Sequence, residues 1–216
     1  GGNGDGHDSG MFYYAEKNKI YPIAPHHSIL GILYDQVASC MNLGLSAAGK
    51  LMGLAAYGKP IFYNSTFLGN WNDFVHKNQR TDLENVIEYW IHHCLELAEG
   101  MGYDTDSFGD VSEMTSPINA DIAASTQKLF EENTLALIEI LYNYLKREKI
   151  IVDNLCLSGG NALNCPANSR INREGSFKNV FIEPSCDDSG LAIGAAYNCY
   201  FNILNQPLQK KQSSHF

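Results

Sequence analysis

Asp187 and Asp188 stand side by side in "EPSCDDSGLAIGAA", just before a run of small residues. Acidic residues at the start of a helix cap free N–H groups and complement the positive end of its dipole. Beside a phosphate-binding loop, a pair of carboxylates also supplies hard oxygen donors for a divalent cation. A candidate loop lies upstream. In "LSGGNALNCPANSRI", residues 157–171, an apolar run stops on Gly159-Gly160 and continues with Asn161, Asn164 and Pro166. Glycines at the carboxyl end of a strand let backbone approach a ligand, and the helix N–H groups that follow point at it. The Asn161 and Asn164 amides offer donors and acceptors. Two readings stay open on these residues alone: a ligand loop, or a tight strand-to-helix turn.

Three further stretches carry chemistry-bearing residues. "GGNGDGHDSG" at the start of the chain is a second glycine-rich turn, whose successive N–H groups suit an anion-binding nest. An ordinary hairpin turn explains it equally well. Lys50, followed by Gly53 and Gly58, is a point charge for phosphate in a small-residue loop. A solvated surface lysine is its default. His26-His27 reads as the entry to a helix and His92-His93 as a solvent-facing helix flank. The cysteines at 40, 94, 156, 165, 186 and 199 form no CxxC pair. They read as buried, reduced thiols of a cytoplasmic protein.

The elements that must hold these groups follow from periodicity. "MFYYAEKNKIYPI" alternates around 17–19 and predicts a β-hairpin. Ser28 is placed to cap a helix with apolar positions Ile29, Leu30, Leu33, Tyr34, Val37 and Met41. "LGLSAAGKLMGLAAYGKP" reads as a loop or broken helix, and residues 61–80 show no period. Thr81 and Glu84 form a capping box for a helix striped by Leu83, Val86, Ile87, Trp90, Ile91, Cys94 and Leu95, with Gly100 past its end. A Gly/Asp/Ser loop over 101–115 precedes a long helix started by Ser116-Pro117 and ending near Lys149. "NLCLSGG" then reads as a short buried strand, 165–174 as a helix, "NVFIEPS" as a second strand and "DSGLAIGAAYNCYFNILN" as a final helix. Strand, helix, strand, helix implies parallel pairing and an α/β fold. The last ten residues read as a frayed tail.

Composition narrows the function. The 216 residues are 44% apolar and 18% charged, ordinary for a folded protein, and the formal net charge is -9. That balance argues against a sequence-independent nucleic-acid binder, which needs a basic face. No stretch has the length of a membrane span. The absence of an initial Met, and a glycine-rich turn without the strand before it, lead us to expect a fragment of a longer protein.

Four segments, "GKLMGLAAYGKP", "DIAASTQKLFE", "LSGGNALNCPANSRI" and "VFIEPSCDDSGLAIGAA", together resemble the carbamoyltransferase family that includes nodulation-factor and antibiotic O-carbamoyltransferases. They fall in that family's order, and the block 156–196 is the most specific. Related tRNA threonylcarbamoyladenosine transferases share parts of it. The resemblance implies the second, RNase H-like half of an actin-like ATPase domain, with a mixed sheet, flanking helices and a helical insertion at about 61–115. It implies an upstream half bearing a metal-binding histidine pair and a downstream YrdC-like domain that makes carbamoyl-adenylate from carbamoyl phosphate and ATP. The carbamoyl group would then pass to an acceptor alcohol at a divalent metal ion, Fe2+ or similar. Carried over by position, Asp188 matches the metal-ligating aspartate, with Asp187 the weaker match. Gly159, Gly160 and Asn164 match the adenosine-side loop. Gly2, Gly4 and Asp5 match the phosphate loop, whose first aspartate would fall at Gly1 or before it. The glycine loops alone also admit a sugar- or acetate-type kinase of the same superfamily, or a non-catalytic nucleotide-binding module. A downstream YrdC-like domain would favour carbamoyl chemistry.

Overall fold

The structure, a computed structural model, describes residues 9–17, 19–26, 28–67 and 81–207, and the side chains of all of these except 81–85. The phosphate-loop residues Gly2, Gly4 and Asp5, the capping box at Thr81 and Glu84, and most of the tail lie outside that description.

The chain opens with an antiparallel hairpin of β1 (Gly10–Glu16) and β2 (Lys19–His26), with an irregularity between Phe12 and Tyr13. Among the described residues four α-helices follow: α1 (Leu30–Cys40), α2 (Ala48–Ala55), α3 (Thr81–Gly100) and α4 (Pro117–Arg147). Then β3 (Asn154–Leu157), α5 (Cys165–Glu174) and β4 (Asn179–Ile182) form a parallel strand pair with its crossover helix. Helix α6 (Leu191–Tyr197) runs on into a π-helical stretch, Asn198–Ile203.

The organising element is α4, 31 residues and about 46 Å long at ~1.5 Å per residue. Its two halves face different cores. Ile118, Ile122, Leu129 and Phe130 join Leu33 and Val37 of α1, Leu51 of α2, and Trp90 and Cys94 of α3 in one cluster. Ile138, Leu141 and Leu145 join Leu155 of β3, Ile171 of α5 and Phe177 in a second cluster, against which Phe12 and Ile23 of the hairpin pack. Phe62 and Trp90, both fully buried, bring the segment expected as an insertion into the first core.

Several local expectations need correction. Ser28 does not cap α1; the cap position is Ile29, and the Ser28 hydroxyl is buried with no hydrogen-bond partner among the described residues. The loop or broken helix around Lys50 is a regular two-turn helix, because its alanines and leucines have high helix propensity and Leu51 and Leu54 find a core. His26 ends a strand rather than entering a helix. His93 is half-buried, its ring tilted against Phe67 and Trp90, whereas His92 is solvent-facing as expected, beside Glu96. All six cysteines are free, yet only Cys94 and Cys186 are buried; Cys40, Cys156, Cys165 and Cys199 are exposed. The last three sit on elements whose outer faces nothing in the described residues covers.

Candidate functional site

The register Asn154↔Asn179 through Leu157↔Ile182 sends both parallel strands out at the same end. Ligands of open α/β sheets lie beyond that carboxyl end. The two loops there are bound to each other. The Gly159 N–H donates to the Cys186 carbonyl at 2.6 Å, and the Ser158 hydroxyl donates to the same oxygen at 3.3 Å. Gly159 has φ +96, a conformation other residues rarely adopt. A Cβ added at Gly159 or Gly160 would meet nothing within 4 Å, so the surface over the pair is open. Gly160–Leu163 forms a 3-10 turn that leads into α5.

On the second loop, Asp187 and Asp188 have different jobs. Asp187 accepts from the Ser189 N–H at 3.1 Å and from the Ser189 hydroxyl, which together hold its carboxyl below the usual aspartate range. It is therefore the cap of the 3-10 turn Asp188–Gly190. Gly190 closes that turn where a Cβ would come within 2.0 Å of the Ser185 carbonyl oxygen. Asp188 is exposed, and its carboxylate has no partner among the described residues. The turn chemistry thus commits Asp187 and leaves Asp188 available.

The two asparagines also differ. Asn161 is half-buried, and its side chain makes no hydrogen bond among the described residues. Asn164 is buried at 7% exposure and held by three side-chain hydrogen bonds. Its Oδ1 accepts from the Ala167 N–H at 3.0 Å, capping α5, and from Gln127 Nε2 at 2.9 Å, while its Nδ2 donates to Gln127 Oε1 at 3.0 Å. Lys50 is exposed on α2, and its Nζ donates to the Leu43 carbonyl at 2.8 Å, across the turn before that helix. No hydrogen bond or ion pair among the described residues joins it to the strand tips.

As for a metal, no group of three or more His, Cys, Asp or Glu among the described residues could hold a cation. With Asp187 turned to Ser189, Asp188 is one carboxylate and not a site. The described residues alone do not fit a metal.

The family pattern "Carbamoyltransferase N-terminus" matches residues 3–197. The chain belongs to the carbamoyltransferase family. It is 35% identical over 88% of its length to a protein of Synechocystis named "Uncharacterized protein sll1178", covering 31% of that protein. It is 28% identical over 80% of its length to "Nodulation protein NolO" of Bradyrhizobium diazoefficiens, covering 28% of it. It is 30% identical over 76% of its length to a "3'-hydroxymethylcephem-O-carbamoyltransferase" of Amycolatopsis lactamdurans, covering 27% of it. The chain therefore spans less than a third of the length of these relatives.

Behind the site of this carbamoyltransferase-family chain lies a feature that periodicity does not reveal. Residues 118–127 of α4 are buried on every side, and five of them are polar. Buried polar groups need partners, and each has one. Asn119 accepts from the Gly109 N–H at 2.9 Å and donates to the Ser107 carbonyl at 2.9 Å. Asp121 accepts from the Lys59 N–H at 2.7 Å and the Tyr103 hydroxyl at 2.6 Å. Ser125 accepts from the Phe62 N–H, Thr126 from the Trp90 indole, and Gln127 from the Tyr34 hydroxyl. This strip pins α1, α3 and the 59–62 turn onto α4, and its last member reaches the glycine loop. The sequence signal was there in "NADIAASTQ": polar residues without helical spacing inside an alanine-rich helix. No helix among the described residues is long and apolar enough to cross a membrane. A depression lined by Tyr142, Lys149 and Val152 lies before β3 begins, at the opposite end of the strand from Gly159.

Proposed function

We propose that this chain is the part of an ATP-dependent O-carbamoyltransferase that holds the nucleotide side of the active site. The supporting observation is the Gly159 N–H to Cys186 carbonyl bond, which joins an open glycine turn and a free carboxylate at the carboxyl ends of two adjacent parallel strands. On this reading the chain is an RNase H-like half of an actin-like domain. The Gly159-Gly160 turn and Asn161 meet the adenylate part of carbamoyl-adenylate, with Gly2, Gly4 and Asp5 on its phosphate; Lys50, held by the Leu43 carbonyl, is left out of this site. Asn164 acts from behind. Asp188 would offer one oxygen ligand to a divalent cation, which would act there as a Lewis acid on the carbamoyl carbonyl.

The reaction needs little from these residues beyond placement. An acceptor hydroxyl oxygen bonds to the carbamoyl carbon and gives up its proton to solvent, the bond from that carbon to the phosphate oxygen breaks, and AMP leaves with the electron pair. Backbone N–H groups aimed at the leaving phosphate stabilise it without reorganising. The test is a full-length protein supplied with carbamoyl phosphate, ATP and candidate alcohols, among them a cephem bearing a 3'-hydroxymethyl group. The expected result is a carbamate ester and AMP, with formation reduced by about a thousandfold or more in Asp188→Ala. A phosphorylated alcohol formed without carbamoyl phosphate would overturn the reading in favour of a kinase. Undiminished transfer in Asp188→Ala would remove that residue from the site.

A further inference from the structure

We propose that Gln127, backed by Tyr34, is a positioning residue for the 159–164 loop. Its carboxamide uses all four of its hydrogen-bonding positions. Nε2 donates to Asn164 Oδ1 at 2.9 Å and to Glu131 Oε1 at 2.8 Å. Oε1 accepts from Asn164 Nδ2 at 3.0 Å and from the Tyr34 hydroxyl at 2.6 Å.

The orientation of this amide is not free. An ionised Glu131 accepts only, so the Gln127 NH2 must face it and Oε1 must face Tyr34. Glu131 is itself held by Arg170 at 3.2 Å. With Gln127 fixed, Asn164 has one way to complete the reciprocal pair, and that way also turns its Oδ1 to the Ala167 N–H. Asn164 ends the 3-10 turn that begins at Gly160, and its own N–H returns to the Asn161 carbonyl at 3.2 Å. The Asn168 Nδ2 holds the Ala162 carbonyl at 2.7 Å from the other side. The orientation of Asn161 and of the Gly159-Gly160 turn is thus set by a side chain on α4 that is itself buried behind the loop. Tyr34, Gln127 and Asn164 are 3%, 7% and 7% exposed, so water cannot replace a lost partner readily.

The inference rests on the reading that this loop takes the nucleotide, and the experiment separates the two. ATP binding to the full-length protein is measured by calorimetry for wild type, Gln127→Ala, Tyr34→Phe and Asn161→Ala, with melting temperatures alongside, and the affinity compared is that of the site Asn161→Ala weakens, separated from ATP bound by a downstream YrdC-like domain. The expected result is ATP affinity lower by about tenfold in Gln127→Ala and about threefold in Tyr34→Phe. The acceptor KM of both should stay within about twofold of wild type, and Gln127→Ala should add nothing to Asn164→Ala in the double variant. A purely structural role would lower the melting temperature and leave the affinity of the folded fraction unchanged. Weakened ATP binding in Asn161→Ala beside unchanged binding in Gln127→Ala and Tyr34→Phe overturns the inference alone. If Gln127→Ala does not fold, Tyr34→Phe decides. Unchanged binding in Asn161→Ala overturns the site reading and the inference with it.

Discussion

Glycines separate what the backbone requires from what a guest would require. Gly58 is a packing residue: a Cβ there would lie 1.9 Å from the Ala120 carbonyl oxygen and 2.7 Å from the Asp121 nitrogen, both in the buried half of α4. Neither can move without breaking the polar strip. Gly58→Ala should destabilise the protein by about 2–3 kcal/mol, read as a lowered melting temperature. Gly160 has neither excuse, since its φ is ordinary and its surroundings are empty. Gly160→Ala should leave the melting temperature within about a degree and weaken ATP binding severalfold. Equal ATP affinity in that variant would favour the tight-turn explanation of the pair.

Helices α4 and α5 are stapled near the glycine loop by Arg170. Its Nη1 meets Glu131 at 3.2 Å and Glu132 at 2.9 Å on α4, and its Nη2 meets Glu174 at 2.6 Å within α5. The Glu132 carboxyl lies below its ordinary value of 4.5, chiefly through Lys128, and also through Arg170. Glu174 is likewise lowered, chiefly by Arg170. A carboxyl depressed in the folded state stabilises above its unfolded value, and that contribution is lost as pH falls through the folded value. Arg170→Met should therefore lower the melting temperature at neutral pH, modestly because its partners are screened by solvent. Thermal melting from pH 7 down to pH 3 should show the gap to wild type widest at neutral pH and closing below about 4.5. A gap that stays constant down to pH 3 would show that packing of the arginine stem, not its charge, is what matters.

At the scale of the whole molecule, the two cores leave the region around α6 uncovered by any described residue. Every residue of α6 is exposed, and its contacts are chiefly with the turns that flank it. Leu191, Tyr197, Ile203 and Leu204 are all more than half exposed, as is Phe181 on β4, beside Cys156 in the register. Parallel strands are normally covered on both faces. The chain expressed by itself should bind a hydrophobic fluorophore strongly. Leu191→Lys with Ile203→Lys should reduce that signal while leaving the melting temperature within about two degrees, because neither residue belongs to a core. A large loss of stability in the pair would mean that α6 packs more tightly than the structure describes.

What the sequence determined by itself were the features written in neighbouring residues. Alternation foretold the β1–β2 hairpin, a Ser-Pro step foretold the start of α4, and the apolar run broken by glycines foretold β3, its turn and α5. The strand–helix–strand order then implied parallel pairing and put Asp188 near Gly159. The tertiary structure alone decided which of the polar groups there are spoken for. Asn161 and Asn164 look alike in sequence, yet only Asn164 is taken, by a glutamine 37 positions away that is itself held by a tyrosine 93 positions away. It likewise chose between adjacent aspartates, giving Asp187 to Ser189. Periodicity records which face of an element is buried, but hydrogen-bond partners are set only when distant segments meet, and a buried amide must accept whichever partner the fold brings to it.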